Sequence, residues 1–389
     1  MDALLNGRVF TGERWLDDQA VLIEGALIRD LVPTGDVPAT ANRVDLGRQV
    51  LAPGFVDLQV NGGGGVLLND DPSVATIGTI AAAHRHYGTT GLLPTLITAD
   101  RATTARAIEA VRITIERGAV PGTLGIHLEG PHLNPARGGV HDPALMRPIE
   151  AADIELYASL GVGRTLVTLA PEVTGLDAIR ELTRRGVVVA AGHTDAGPDI
   201  LLPAIDAGLR GFTHLFNAMS PLQSRAPGAV GTALATPGTW CGLILDGHHV
   251  DPLAARMARR AKSTGELVLV TDAMATVGTT QTAFRLGELT VEVRDGRCTT
   301  PAGRLAGSCL DMASAVRNAV AWLAVPLETA LQMASTWPAA VLGLEREVGR
   351  IAPGMRADLV LLDAGLQVRG TWIAGARQQP RTERANAVR

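Results

Sequence analysis

The chain has 389 residues, 46% hydrophobic and 19% charged, with a formal net charge of −4. That length supports a large buried core, in one big domain with a small companion, and the absence of a basic block argues against a nucleic-acid partner. No apolar run reaches the roughly 20 residues of a membrane span, and Met1-Asp2-Ala3-Leu4 opens with neither a basic segment nor a signal-like apolar stretch.

Residues 1 to about 50 read as short strands, Arg8-Val9-Phe10, Ala20 to Ile23 and Leu27-Ile28, separated by turns at Asn6-Gly7 and Glu24-Gly25. A matching unit recurs at the far end, Ala357 to Asp363 and Val368 to Ile373. The simplest arrangement joins 1–50 and 347–389 into one small β-sandwich domain, with 51–346 inserted between them. From Val50 the rhythm becomes strand, loop, helix. Eight apolar runs are candidate parallel strands: Gly54–Leu58, Thr90–Thr95, 123–129, Thr165–Leu169, Val187–Ala191, Gly211–His214, Cys241–Asp246 and Leu267–Asp272. Helical stretches separate most of them, which specifies an α/β fold, a (β/α)8 TIM barrel. Afterwards Phe284–Thr299 alternates like a hairpin turning at Asp295-Gly296. The three cysteines, Cys241, Cys298 and Cys309, match no metal spacing and point to reduced thiols in a cytoplasm.

Four strand ends carry chemistry. Strand three ends in His127-Leu128-Glu129-Gly130-Pro131-His132, strand five runs into Gly192-His193-Thr194, strand six ends in Thr213-His214 and strand eight in Thr271-Asp272. On this fold that edge is the catalytic face. Glu129, His193 and His214 form a set suited to Zn²⁺ or Fe²⁺ with an open position for water. Asp272 can take the proton of that water and return it to a leaving nitrogen. Gln59 and Asn61 close strand one where His-x-His would supply a second metal, so one divalent ion per chain is expected. His84-Arg85-His86 lies in a predicted helix and reads as two surface histidines. His141, after Gly138-Gly139-Val140, reads as a substrate ligand or as a solvated loop histidine. Arg225 reads as a phosphate ligand or an ordinary surface charge. Of His248 and His249, one imidazole suits an anion and the other a structural role. Lys262, the only lysine, falls in a predicted outer helix.

These motifs together resemble the N-acetylglucosamine-6-phosphate deacetylases of the amidohydrolase superfamily. The resemblance rests on Pro53 to Gly62, His127 to Pro131, Ala191 to Thr194, Thr213 to Met219, Asp246 to Asp251, Thr271 to Ala273 and Leu305 to Ser308, in that order. It implies Glu129, His193 and His214 as metal ligands, Zn²⁺ leading and Fe²⁺ or another divalent ion as alternatives. It implies Asp272 as acid/base and His141, beside Val140, near the acetamide. It further implies Asn217 and Ala218 as a backbone phosphate site and His249 and Arg225 as its side-chain contacts. Leu305, Ala306 and Gly307 would line the substrate. In the family that Arg reaches across a dimer interface, so a homodimer is implied. His132 departs from the family's usual aromatic. The resulting expectation is a cytoplasmic hydrolase giving glucosamine 6-phosphate and acetate. The rivals are a cyclic-amide or N-acyl-amino-acid hydrolase on the same barrel, or a barrel without metal serving as a scaffold.

Overall fold

The computed structural model describes residues 1–378. Eight parallel strands form one sheet: β1 (Phe55–Val60), β2 (Thr89–Ile97), β3 (Gly125–Glu129), β4 (Arg164–Leu169), β5 (Val188–Ala191), β6 (Gly211–Phe212), β7 (Trp240–Leu243) and β8 (Leu267–Leu269), hydrogen-bonded in that sequence. The ring closes where Asp272 N–H donates to Gln59 O and Asn61 N–H to Ala273 O, both at 2.9 Å. Their residues are buried almost throughout, because side chains fill the barrel interior and helices cover the outside. Polar caps start several of those helices. Ser73 accepts from Thr76 N–H before Val74–Arg85, Asp100 from Thr103 N–H before Arg101–Glu116, and Asp251 from Leu253 N–H before Pro252–Ala261.

β6 and β8 are shorter than the sequence suggests. The expected strands ran to His214 and Asp272, yet the ladders stop at Phe212 and Leu269. His214 and Asp272 have φ of +33° and +52°, a left-handed backbone that no strand continues through. The region after β8 is also more than a hairpin. Ala283–Leu286, Leu289–Arg294, Arg297–Thr299 and Leu305–Ser308 make a four-stranded antiparallel sheet, with Asp295-Gly296 at its central turn.

The two chain ends share a sheet. Val50–Pro53 pairs antiparallel with Leu359–Leu362, Leu51 facing Leu361, inside a six-stranded sheet that also holds Arg8–Phe10, Trp15–Leu16, Val368–Ile373 and Ala376–Gln378. A second sheet of four strands comes from residues 2–45. Leu4, Val9, Ile28, Leu51, Leu359 and Trp372 form a core in this region. Residues 379–389 of the expected sandwich segment lie outside the described residues.

One expectation fails here. His84 is not a surface histidine: it is fully buried, and its Nε2 sits 2.9 Å from Gly62 O, under the glycine loop that follows β1. Lys262, at the end of its helix, is buried too. Its Nζ donates to Ala233 O, Thr236 O and Thr239 Oγ1 at 2.9–3.1 Å and pairs with Glu266. Helical periodicity placed both residues, but the partners that allow their burial come from distant segments.

The long loop after β3 is anchored by an ion cluster. Arg147 grips Asp153 with two bonds of 2.6 Å, and Arg101 adds one of 2.9 Å. Burial opposes ionisation of Asp153, but these bonds overcome it and hold its carboxyl well below the usual range. A depressed carboxyl contributes stability above its unfolded pKa of about 3.9 and loses it as pH falls. Asp153→Asn should lower stability at pH 7 by about 2–3 kcal/mol, less than a fully buried pair because both arginines stay partly in water. Denaturant melts should show that deficit shrinking as pH drops from about 5 towards 2.

Candidate active site

Three strand ends deliver one cluster. Glu129 is the last residue of β3, and His193 and His214 follow β5 and β6. Glu129 Oε1 lies 2.9 Å from His214 Nε2 and 3.2 Å from His193 Nε2, and the two imidazole nitrogens are 3.1 Å apart. All three residues are buried, and their ligand atoms lie within 4.8 Å of one another. His193 Nδ1 is 2.8 Å from Arg137 O, so it donates there and leaves the Nε2 lone pair facing the cluster. Two imidazole nitrogens turned on one carboxylate oxygen at these distances are a donor set for a cation. The residues therefore fit the divalent ion expected from the sequence. Burial raises the Glu129 carboxyl, and the bonds to His193 and His214 more than reverse this, leaving it well below its ordinary range.

Asp272 stands beside the cluster. Its Oδ1 accepts from Asn61 Nδ2 at 2.6 Å and from Gln59 Nε2 at 3.2 Å, and the same Gln59 amide donates to Glu129 Oε2 at 3.1 Å. Gln59 and Asn61 thus orient the carboxylates around the site, a role the sequence reading missed when it dismissed them as ligands. Burial, and then the nearby charge of Glu129, push Asp272 up to about 6.

His141 reaches the site from the loop after β3. Its Nδ1 accepts from Thr98 N–H at 3.4 Å and lies 2.8 Å from Thr98 Oγ1, so the ring's proton resides on Nε2. Burial, with His193 next, pushes its pKa to about 3 and keeps the ring neutral. Gly130, at φ +88°, lets the chain leaving β3 pass against Thr98, for a Cβ there would lie 2.3 Å from Thr98 Oγ1. His132, the departure noted in sequence, is spent elsewhere: Nδ1 contacts Arg147 O at 2.9 Å and Nε2 contacts Tyr157 Oη at 2.8 Å.

An open cavity of about 620 Å³ covers the cluster. Val140, His141, Asn217, Ala218, His249, Leu305 and Gly307 line it together with Glu129, His193, His214 and Asp272. His249 is held by its Nδ1 against Asp246 Oδ2 at 2.7 Å. Asn217 folds its own N–H back on His214 O at 3.0 Å. Two of the expected residues do not line this cavity, Arg225 in keeping with its expected reach into a neighbouring subunit and Ala306 against expectation. Arg225 is exposed and stands outside the cavity wall of its own chain, and Ala306 is buried in a satellite core with Met274 and Phe284. Strand alternation explains Ala306, since Leu305 and Gly307 take the cavity side. Arg304 and Met146 line the cavity without any sequence signal having singled them out.

Residues 50–379 match the amidohydrolase family, and residues 1–51 match the NagA composite domain. An N-acetylgalactosamine-6-phosphate deacetylase from Shewanella sp. is 43% identical, over 95% of this chain and 93% of the relative. The human N-acetylglucosamine-6-phosphate deacetylase is 37% identical, over 94% and 89%. The N-acetylglucosamine-6-phosphate deacetylase structure from Pasteurella multocida superposes with a TM-score of 0.94 at 34% identity, covering 97% of this chain and 99% of that one.

The donor set predicts a single strongly held ion. Elemental analysis of purified protein should find about one divalent metal per chain, and Glu129→Gln should lower that occupancy at least tenfold. Two ions per chain at full occupancy would contradict it.

Proposed function

We propose, from the premise that this chain belongs to the amidohydrolase family and to its N-acetylhexosamine-6-phosphate deacetylases, that it hydrolyses the acetamide of N-acetyl-D-glucosamine 6-phosphate to D-glucosamine 6-phosphate and acetate. The observation that carries this reading is Asp272 beside the Glu129–His193–His214 cluster, with a neutral His141 on the same cavity. Within the reading, the chain divides into 1–50 plus 347–389 and 51–346.

When bound, a divalent ion (Zn²⁺ by preference) supplies Lewis acidity toward water and the amide carbonyl. Glu129, His193 and His214 would hold it. Asp272 accepts the proton of the attacking water, with Asn61 and Gln59 holding its carboxylate in place through Oδ1. His141 Nε2–H donates to the carbonyl oxygen as charge develops there, its tautomer fixed by Thr98. Asp272 then returns the proton to the leaving nitrogen, and the amine departs. His249, with Asn217 and Ala218, meets the 6-phosphate. Arg225 completes that contact from a second copy of the chain, a homodimer supported by its exposure outside its own cavity. Three free cysteines support a cytoplasmic setting. The galacto epimer is a second reading, favoured by the identities of 43% and 37% to N-acetylgalactosamine-6-phosphate deacetylases.

Acetate release from both phosphorylated epimers and from unphosphorylated N-acetylglucosamine tests the reading. Phosphorylated sugar should be strongly preferred, and no acetate from either epimer would end it. Asp272→Asn should keep fold and metal while lowering kcat on the order of 10²-fold or more, because an amide cannot accept and return the proton.

The phosphate contact has its own test. Arg225→Ala should cut kcat/KM for the phosphorylated sugar roughly 10- to 100-fold, as the loss of a phosphate–Arg bond of about 1.5–3 kcal/mol implies. Mixed with Asp272→Asn chains, it should regain activity in heterodimers, whose intact-Asp272 site takes Arg225 from the other subunit. Heterodimers that form without recovery would place Arg225 in its own chain's site.

A further inference from the structure

Asp57 lies on β1 two residues before Gln59 and therefore on the same, inward face of the barrel. It is fully buried, and nothing in the reaction above uses it. The bonds of its carboxylate go to two residues. Its Oδ2 accepts the Thr271 hydroxyl at 2.5 Å, and its Oδ1 accepts Thr271 N–H and Gln59 N–H, each at 3.2 Å.

Thr271 immediately precedes Asp272, at the point where the backbone loses its ladder. β8 ends at Leu269, and Asp272 turns left-handed at φ +52°. A left-handed residue persists only where its surroundings over-determine it. Here the surroundings are named. Asp57 holds Thr271 from β1, while Thr271 O accepts Ser308 Oγ at 2.6 Å from the satellite sheet. Asp272 N–H donates to Gln59 O, and Asp272 O accepts Ser308 N–H, both at 2.9 Å. The carboxylate of Asp57 thus adds side-chain bonds to the few backbone bonds that join β1 to the end of β8. It touches neither the metal cluster nor the cavity wall.

We propose that Asp57 and Thr271 form a positioning couple that holds Asp272 in its left-handed, reaction-ready backbone. The proposal rests on the deacetylase reading for Asp272's role. A displacement on the order of 1 Å of a reacting group costs up to about 10²-fold in rate, so the couple acts on turnover rather than on substrate affinity.

Thr271→Val keeps the shape and removes only the hydroxyl bond, and Thr271→Ser restores it. With metal-loaded enzyme, Thr271→Val and Asp57→Asn should each lower kcat about 10-fold or more, with KM within about twofold and metal content unchanged. Thr271→Ser should retain at least half of wild-type kcat. The Asp57→Asn/Thr271→Val double variant should be little worse than either single one, because both break the same bond. A crystal structure of Thr271→Val should show the Asp272 carboxylate moved off Asn61 Nδ2. This last readout needs no substrate, so it separates the couple from the reading beneath it: a wild-type enzyme that releases no acetate refutes the reading alone. If Asp57→Asn does not fold, Thr271→Val and Thr271→Ser decide. An unmoved Asp272 in Thr271→Val, a kcat within twofold of wild type, or parallel losses of kcat, KM and metal would overturn the couple.

Discussion

Glu129 Oε1 facing two imidazole nitrogens at 2.9 and 3.2 Å is the contact on which the rest of this molecule is arranged. Taking a carboxylate and two imidazoles out of water together is costly unless a cation or matched donors satisfy them. Each of the three side chains comes from a different strand end, so only a closed barrel brings them within reach of one another. The closure itself is made beside the cluster, by Asp272 and Ala273 pairing with Gln59 and Asn61. Ring geometry and site geometry are therefore set by the same few bonds. A slip of one residue between β1 and the end of β8 would turn Gln59 and Asp272 away from Glu129.

One wall of the cavity follows from strand alternation. In Leu305–Ser308, Leu305 and Gly307 face the cavity while Ala306 and Ser308 are buried. Gly307 sits at φ +58°, and a Cβ there would come 2.5 Å from Met274 Cγ. A side chain at that position would force the wall away from Asp272. The satellite sheet thus shapes the cavity and, through Ser308, also steadies the backbone that carries Asp272.

Much of this was legible in the chain. Apolar runs ending in Glu129, Gly192-His193 and Thr213-His214 announce buried strands that deliver polar groups to one rim, and the cluster forms from those residues. What stayed hidden is of one kind. The burial of His84, of Lys262 and of Asp57 depends on a partner contributed by a remote segment: Gly62 O, the Ala233 and Thr236 carbonyls with the Thr239 hydroxyl, Thr271. Periodicity describes an element's face and says nothing of what that face meets. The early ends of β6 and β8 were hidden for a related reason, since left-handed turns at His214 and Asp272 are imposed by tertiary bonds and leave no mark on composition. Gln59 and Asn61 were read as poor ligands, which is sound chemistry, but their amide donors serve two carboxylates at once.

The sheet that unites the chain's ends has a consequence for how the protein is made. Val50–Pro53 must wait for Leu359–Leu362, roughly 300 residues further along, before it gains that antiparallel neighbour. At about 5–20 residues per second of synthesis, that strand edge stays open on the ribosome for roughly 15–60 s. An open edge with Leu51 on it is a template for unwanted pairing. The barrel, whose own strands pair with their successors in sequence, can form during that interval. Completion of the sheet then reports that translation has passed the barrel, and a chain stalled before Leu359 would expose the defect as an unfinished edge.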